Sequence, residues 1–568
     1  MIRDLAERGA ARRRGQGIGR AAVMIGVITV LARLVGFGRQ VVFAHTVGTT
    51  CLGTAYTTAN MVPNIIYDIV LGGALSSVVI PVLARPAGIA LADTEPGSGT
   101  GAPARPIAPA QQIASALLTW TVLLLVPVSA ALALAAHPIV TALLSDATGC
   151  PHGPLAGVGA RMLIVFAPQV LLYGLAAVLY GILQSHRRFG PPAFAPLLSS
   201  LVVIGAYAAF GAVGGQYVNR LAELPPLAEY LLSGGTTLGV LALAATAVIP
   251  AWRLGLAARP TLRFPPGVGA RVRRLALAGV AALVAQDASV AVVIVLANRY
   301  GIRGSLVIYG FAWAVFVMPY AVLAIPIATS AFPALSAHDT TAGDVPRGFD
   351  LTAAASTRAV MVASFLGTAV LIGAREPIAR VFESQSPDAA AVLTAALAAF
   401  APGLVGYGLS ANLSRVLYAL HRNRAPALAV AGGWLLVIAA DAAIVPFVRP
   451  ARVVPALGLG ATFGLTVSGI ALLILVHRER GPAVVRGLPR ALLAGLAGCV
   501  TGAAAGWAVA AVISASVPAL PAGAFLLNVG LSVLVALVVT GVFAAVVLSL
   551  DGGDLRAALS RLRARPSA

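Results

Sequence analysis

The chain has 568 residues, of which 59% are hydrophobic and only 10% are charged. A soluble domain carries about 25% charged residues, so most of this chain is shielded from water, which excludes a single soluble domain. Its formal net charge of +20 comes from arginine alone, since the sequence contains no lysine. Such a charge indicates either a nucleic-acid partner or the basic cytoplasmic loops of a membrane protein.

Apolar runs long enough to cross a bilayer, which takes about 20 helical residues, follow one another along the whole chain. We count fourteen of them, separated by polar, proline-rich or charged segments. They lie at 21–47, 54–84, 111–136, 157–184, 193–213, 228–250, 272–298, 305–335, 354–373, 391–420, 425–447, 453–476, 488–513 and 524–550. The sequence therefore predicts an all-α polytopic membrane protein with about 14 transmembrane helices.

The arginines outside these runs are unevenly distributed between the two sides of the membrane. With the N-terminus in the cytoplasm, 28 arginines fall in cytoplasmic segments and 7 in outer segments, where the 28 include Arg273, Arg274, Arg358 and Arg490 near the cytoplasmic ends of runs. Because basic residues collect on cytoplasmic loops, we predict that the basic segment 1–20 and the tail 551–568 are both cytoplasmic. This orientation accounts for most of the net charge, so we expect no nucleic-acid partner.

Two arginines lie inside the first predicted span. Arg33 is about 18 Å past the start of the span, near mid-membrane, and Arg39 is about 9 Å further on. An arginine at the centre of a bilayer costs about 2.5–3.5 kcal/mol. No acid in this span can neutralise either residue. They either line a wet cavity and bind an anion or pair with acids of other spans, for which Asp68, Asp287 and Asp441 are candidates.

Other polar residues within the spans are further candidates. Asn64 follows Pro63, which should kink the second span, and its side chain either lines the cavity or only bonds neighbouring helices. Arg415 lies near the cytoplasmic end of the tenth span, where it either contacts substrate or extends to the interface. Asp287 in the seventh span and Asp441 in the eleventh either pair with arginine or bind a coupling cation through oxygen ligands. Thr462 in the twelfth span is a candidate neutral ligand of the same cation.

The cysteines and the absence of enzyme motifs give two more expectations. Cys51 and Cys150 both fall in predicted outer loops, where oxidation can occur, so we hypothesise a disulfide between them. The sequence shows no P-loop, no GxSxG and no HExxH motif. We therefore expect a transporter without nucleotide hydrolysis, rather than an enzyme, and no cofactor.

Several motifs resemble one known family. Arg33-Leu-Val-Gly-Phe-Gly-Arg39, Pro63-Asn64, Gly73-Ala-Leu-Ser76 and Pro81-Val-Leu-Ala84 resemble, in that order, the opening of the MurJ/MviN lipid II flippases, members of the MOP exporter superfamily. Pro168-Gln169 through Ala195-Pro196 resembles that family's fourth-to-fifth span segment, and Ser414-Arg415 through Pro426 its tenth-to-eleventh. The order of the motifs is more specific than any one of them.

The resemblance implies a fold of two six-helix lobes around a central cavity, plus two C-terminal helices. The lobes would be residues 21–250 and 251–476, and the two extra spans would lie in 477–550. It also implies the substrate, lipid II (the undecaprenyl-diphosphate-linked disaccharide-pentapeptide), moved from the inner to the outer leaflet of the bacterial cytoplasmic membrane. The diphosphate would bind Arg33 and Arg39. Membrane lipids and proteins of cell-wall synthesis and division are the other implied partners.

The chain also departs from the pattern of that family. Tyr67 and Asp68 stand where many members have two arginines, and Trp313-Ala314 stands where many have an Asp-Arg pair. Some relatives bind sodium through acids of the seventh and eleventh spans, which implies Na⁺ as a coupling ion here.

Three other functions remain open at this point. The chain could export another lipid-linked oligosaccharide, act as a drug/cation antiporter of the same superfamily, or serve as a non-transporting membrane scaffold of a wall-synthesis complex. A cation exporter needs an acidic cavity, whereas the first span is basic.

Overall fold

The computed structural model describes residues 24, 26–69, 107–144, 147–186, 188–253, 260–264, 268–337, 347–382, 387–516 and 525–551. These residues form helices joined by short turns, without any β-strand among them. In chain order the helices are α1 (Gly26–Thr46), α2 (Cys51–Tyr67), α3 (Ile107–Leu134), α4 (Ala136–Leu144), α5 (His152–Phe166), α6 (Pro168–Ser185), α7 (Gly190–Gly214), α8 (Pro226–Trp252), α9 (Val268–Tyr300), α10 (Ser305–Pro319), α11 (Ile325–Ser336), α12 (Arg347–Gly373), α13 (Arg375–Val381), α14 (Pro387–Phe400), α15 (Gly403–Ala419), α16 (Arg424–Ile444), α17 (Val453–Arg480), α18 (Leu488–Ser516) and α19 (Phe525–Leu550).

The described part of the chain contains 12 helices long and apolar enough to cross a membrane, or 13 if a bent pair counts as one span. The all-α polytopic class is therefore confirmed, while the count of 14 stays a prediction. The second predicted span, 54–84, accounts for the difference, because only its first part lies within the described residues. The segment 1–20 and most of the tail 551–568 also lie outside them.

The bent pair is formed by α14 and α15, which meet at an angle of 46° around Ala401 and Pro402. A break of this kind leaves backbone carbonyls without their helical donors. Two threonines of neighbouring helices supply donors instead. The Thr462 hydroxyl donates to the carbonyls of Ala399 (2.7 Å) and Phe400 (3.2 Å), and the Thr368 hydroxyl donates to that of Ala401 (2.9 Å).

Glycines allow α15 and α16 to pack closely against α17. A Cβ atom on Gly406 would lie 2.5 Å from the Cα of Thr466, and one on Gly464 would lie 2.4 Å from the carbonyl oxygen of Gly433. Small residues at such crossings let backbones approach closely, which is a common basis of helix association in membranes. This packing brings α17 against the helices that carry Arg415 and Asp441.

The chain divides into two compact units. The first contains residues 1–47, 59–142 and 156–280, and the second contains 48–58, 143–155 and 281–568. In the first, one cluster of buried apolar side chains joins α3, α6 and α8, including Ile113, Val178 and Ala247. In the second, a larger cluster includes Phe349 and Leu413, with Phe543 of α19. The residue limits predicted for the lobes stay a prediction.

Candidate functional site

The two arginines predicted to bind substrate both lie on α1. Arg33 is exposed and Arg39 is half-buried. Among the described residues, no carboxylate forms a salt bridge with either guanidinium. The alternative that these arginines are neutralised by acids of other spans therefore finds no support in this part of the chain. Arg33 and Arg39 therefore stay the candidate anion contacts of the first unit.

A pair of tyrosines, of which Tyr173 is within electrostatic range of Arg39, lies in the first unit. The phenol of Tyr173, on α6, lies within electrostatic range of Arg39 and also of Asp68. The ring of Tyr173 packs against that of Tyr67, with centroids 4.5 Å apart. Asn64 is half-buried one turn before Asp68 on α2. The structure thus assembles a polar neighbourhood around Arg39 from α1, α2 and α6.

Arg161, on α5, forms a specific ion pair with an acid of another helix. Its Nε donates to both carboxylate oxygens of Glu229 (3.0 and 3.2 Å), and its Nη2 donates to Oε2 (2.7 Å). Glu229 is buried at the start of α8. The forked geometry suits a carboxylate and fixes α5 to the start of α8. Arg161 is therefore a structural residue.

Arg415, the remaining cationic candidate, lies on α15 and is half-buried. Its Nη1 donates to the carbonyl of Ala411 (2.6 Å), one turn earlier in the same helix, so the side chain is directed toward the start of α15. The phenols of Tyr320 and Tyr418 lie within electrostatic range of its charge. No described carboxylate pairs with it. The guanidinium therefore has two phenols within electrostatic range.

The three predicted cation ligands occupy different settings in the second unit. Asp441 is only 1% exposed, and neither of its carboxylate oxygens has a hydrogen-bond partner. It packs against Gly460 of α17, where a Cβ atom would lie 1.9 Å from its Oδ1. Asp287, on α9, is equally buried. The hydroxyl hydrogen of Thr462 is committed to the break between α14 and α15. No cluster of three or more His, Cys, Asp and Glu side chains occurs among the described residues.

The predicted cysteine pair forms a disulfide in the structure. Cys51, at the start of α2, is bonded to Cys150 before α5, with their Cα atoms 5.7 Å apart. The loop containing Cys150 is further tied to the turn after α9, where the Thr148 hydroxyl donates to the carbonyl of Gly301. The side-chain amide of Asn298 also donates a hydrogen bond to the Thr58 hydroxyl (3.1 Å). We call this arrangement the outer clasp, and it belongs to the second unit.

One cluster of aromatic residues was not predicted from the sequence. Tyr309, Trp313, Phe316 and Tyr320 recur at spacings of four, three and four, which places them on one face of a helix. Trp313 lies at the centre of a cluster of rings in the second unit, which we call the aromatic platform. Its indole lies near the rings of Tyr309 (6.4 Å), Phe316 (5.3 Å), Phe400 (6.1 Å), Tyr407 (6.4 Å) and Trp434 (6.2 Å), measured between centroids. The recurrence of aromatic residues from Tyr309 to Tyr320 was the feature of the sequence that could have predicted this cluster.

Comparison with known proteins gives a consistent result. The family model described as "Lipid II flippase MurJ" matches residues 43–529. A lipid II flippase MurJ of Burkholderia cenocepacia is 24% identical over 484 residues, covering 81% of this chain and 84% of that protein. A probable lipid II flippase MurJ of Synechocystis is 26% identical over 253 residues, covering 44% of this chain and 43% of that protein.

Solved structures show the same fold. A lipid II flippase MurJ in an inward closed conformation superposes with a TM-score of 0.66 at 17% identity, covering 92% of this chain and 98% of that one. An inward-facing multidrug resistance MATE family transporter of the MOP superfamily gives a TM-score of 0.61 at 15% identity, covering 80% of this chain and 94% of that one. Because the family model spans most of the sequence, the chain belongs to the MurJ lipid II flippase family, a family of multi-pass membrane transporters.

Proposed function

We propose that this protein is a lipid II flippase, which moves lipid II from the inner to the outer leaflet of the cytoplasmic membrane by alternating access. The family match over residues 43–529 carries the proposal. The chemistry of α1 agrees with it, since a diphosphate requires fixed cations and arginine offers a planar, permanently charged fork. Arg33 and Arg39 have no carboxylate partner among the described residues, so their donors are available to a ligand.

The proposed transport does not involve nucleotide hydrolysis within this chain. The diphosphate would bind Arg33 and Arg39 from the cytoplasmic side, and the polyprenyl tail would stay in the bilayer. Asn64, half-buried on the neighbouring α2, would add an amide to this site. Arg415 would be a further cationic contact for the substrate. A cationic drug is a poor alternative substrate, because the arginines of α1 would repel it.

A complementation assay tests this function. A bacterial strain depleted of its own lipid II flippase would express the wild-type chain, Arg33→Ala or Arg39→Ala, with Arg220→Ala as the control. Arg220 suits that purpose because it is an exposed arginine whose only described ion pair is a 3.7 Å contact with Glu223. We expect wild type and Arg220→Ala to restore growth and lipid II in the outer leaflet, and the α1 variants to fail at equal membrane levels. Full complementation by both α1 variants would contradict the assigned site.

We also propose that Na⁺ couples to transport through Asp441, with Asp287 and Thr462 as further candidate ligands. The supporting observation is the buried carboxylate of Asp441, whose oxygens lack hydrogen-bond donors. A hard cation would provide the positive charge that such a carboxylate needs. Thermal unfolding in NaCl and in choline chloride tests the idea. We expect Na⁺ to stabilise the wild type and not Asp441→Asn; equal stabilisation of both would exclude Asp441.

The orientation of the chain is part of the same proposal. Both termini would lie on the cytoplasmic side, as the 28 arginines counted in cytoplasmic segments indicate. Labelling of single cysteines introduced near each end with an impermeant reagent would test it, and labelling in intact cells would contradict it. Contacts with cell-wall synthesis and division proteins remain a prediction.

A further inference from the structure

The aromatic platform contains two layers that differ in exposure. Phe316 and Phe400 are fully buried, and Trp434 is 5% exposed, so these rings form its base. Trp313 and Tyr407 lie over that base and are half-buried. Packing of the helix core explains why the base rings are buried. It does not explain why the indole of Trp313 stays partly exposed. The rings of the upper layer are therefore the part of the platform that a ligand could contact.

Tyr320 extends the upper layer toward a charge. Its ring stacks on that of Tyr407, with centroids 4.1 Å apart and planes inclined by 23°. Tyr320 also lies within electrostatic range of Arg415, whose side chain is directed toward the start of α15. A guanidinium and phenols are costly against lipid tails, so we expect this edge of the platform to face away from the lipid.

The backbone beneath this edge is irregular. Tyr320 begins a π-helical turn, Tyr320–Ala324, which joins α10 to α11 between Pro319 and Pro326. Such single π turns interrupt the regular hydrogen bonding of a helix and occur often at functional sites. The turn changes the direction in which successive side chains leave the helix. It is a second observation, independent of the rings, that separates this segment from an ordinary span.

The half-buried aromatic rings, the nearby hydroxyl groups and a cation without a carboxylate partner among the described residues point to a class of ligand. Binding sites combine an apolar or aromatic wall with a few polar groups that fix orientation. A pyranose ring fits this combination, because its C–H face is apolar and its edge carries hydroxyl groups. A second cation does not fit, because Arg415 would repel it. A bare acyl chain would offer Arg415 no polar group beyond the Ala411 carbonyl to which its Nη1 already donates.

We infer that the aromatic platform binds a sugar ring of the lipid-linked substrate, with Trp313 stacking on the ring and Arg415 donating to oxygens at its edge. This inference rests on the proposed function and deepens it. It assigns recognition of the saccharide to the second unit, separately from recognition of the diphosphate by α1. Trp313 then determines specificity for glycosylated substrates.

Binding of two lipids to the purified full chain in nanodiscs tests this assignment. The probes are undecaprenyl diphosphate, which has no sugar, and lipid II. Wild type should prefer lipid II. For Trp313→Ala we expect lipid II affinity to fall about tenfold, which corresponds to about 1.4 kcal/mol, while undecaprenyl diphosphate binds as before. Trp313→Phe, which keeps an aromatic face, should retain most of the preference for lipid II.

Two further variants provide controls. Trp507→Ala removes a tryptophan that is 50% exposed on α18, away from the platform, and should keep the wild-type preference. Trp313→Leu keeps apolar volume without an aromatic face. It can therefore replace Trp313→Ala in the same binding experiment if the alanine variant does not fold. We expect it to lose the preference for lipid II.

The outcomes separate this inference from the proposed function. If Trp313→Ala and Trp313→Leu keep the preference for lipid II, or weaken both lipids equally, the platform does not recognise sugar, although the flippase assignment survives. If the wild type binds neither lipid, the proposed function itself fails, and this inference fails with it. Selective loss of lipid II binding in the Trp313 variants, with Trp507→Ala unchanged, supports the inference.

Discussion

The contact between Gly460 and Asp441 leads to a quantitative prediction about how α16 and α17 pack. A Cβ atom added at Gly460 would lie 1.9 Å from Asp441 Oδ1 and 2.9 Å from its Cγ. Ordinary contacts begin at 3.4 Å, so one of the atoms must move by about 1.5 Å. The carboxylate is 1% exposed, so it has little space to move into. We expect Gly460→Ala to destabilise the protein by about 1–3 kcal/mol, the usual cost of overpacking.

A double-mutant cycle measures this clash directly. Asp441→Ala removes the carboxylate, so Gly460→Ala should cost little in that background, and the coupling energy should be about 1–3 kcal/mol. The measurement is chemical or thermal unfolding of the purified protein in detergent. Gly432→Ala is the matched control, because Gly432 lies on the same helix as Asp441 and an added Cβ there meets nothing within 4 Å. It should be neutral or slightly stabilising.

Additive effects of the Gly460 and Asp441 substitutions would contradict this prediction. If Gly460→Ala costs the same with and without the Asp441 carboxylate, the close contact does not determine how α17 packs on α16. An equal loss of stability in Gly432→Ala would indicate instead that alanine is poorly tolerated throughout these helices.

Three further predictions follow from individual contacts. Arg161→Ala should cost about 1 kcal/mol in unfolding experiments, because it leaves the buried Glu229 carboxylate without its donors while the guanidinium itself is largely exposed; no loss would show that the ion pair is not stabilising. Thr462→Val should cost about 1–2 kcal/mol by removing the donor at the break between α14 and α15, whereas Thr501→Val, whose hydroxyl bonds only within its own helix, should be nearly neutral; equal costs would contradict a special role for the break. Reduction should change the mobility of the wild-type chain in a denaturing gel and leave Cys51→Ala unchanged, and an identical response of the two would show that the disulfide does not form in cells.

Hydrophobicity alone located the spans well. The predicted run 453–476 corresponds to a candidate span at Pro450–Arg480, and the predicted run 524–550 to one at Phe525–Leu550. This agreement arises because a bilayer imposes both length and apolarity on every crossing. The break at Ala401 and Pro402 was hidden within the apolar run 391–420, although the proline was a signal for it. Composition over a window does not reveal a local change of direction.

Partners of polar residues were harder to predict than their positions. Arg161 and Glu229 are separated by 68 positions, and nothing in either local sequence connects them. Thr462 was a candidate ligand by residue type, yet its hydroxyl hydrogen is committed to the carbonyls of α14. The sequence identified Arg33 and Arg39 as unusual because charge is costly in an apolar helix. Their proposed ligand came from the family resemblance, because spacing alone does not distinguish one anion from another.

The outer clasp also sets an order of events during synthesis. Thr58 and Asn298, which it joins by a hydrogen bond, are 240 positions apart in the chain. At about 5–20 residues per second, a ribosome needs about 12–48 s to produce the second partner after the first. During that interval the start of α2 is already made but cannot form its contacts with the turn after α9. The loops of the clasp therefore complete their folding only after the seventh predicted span has been inserted.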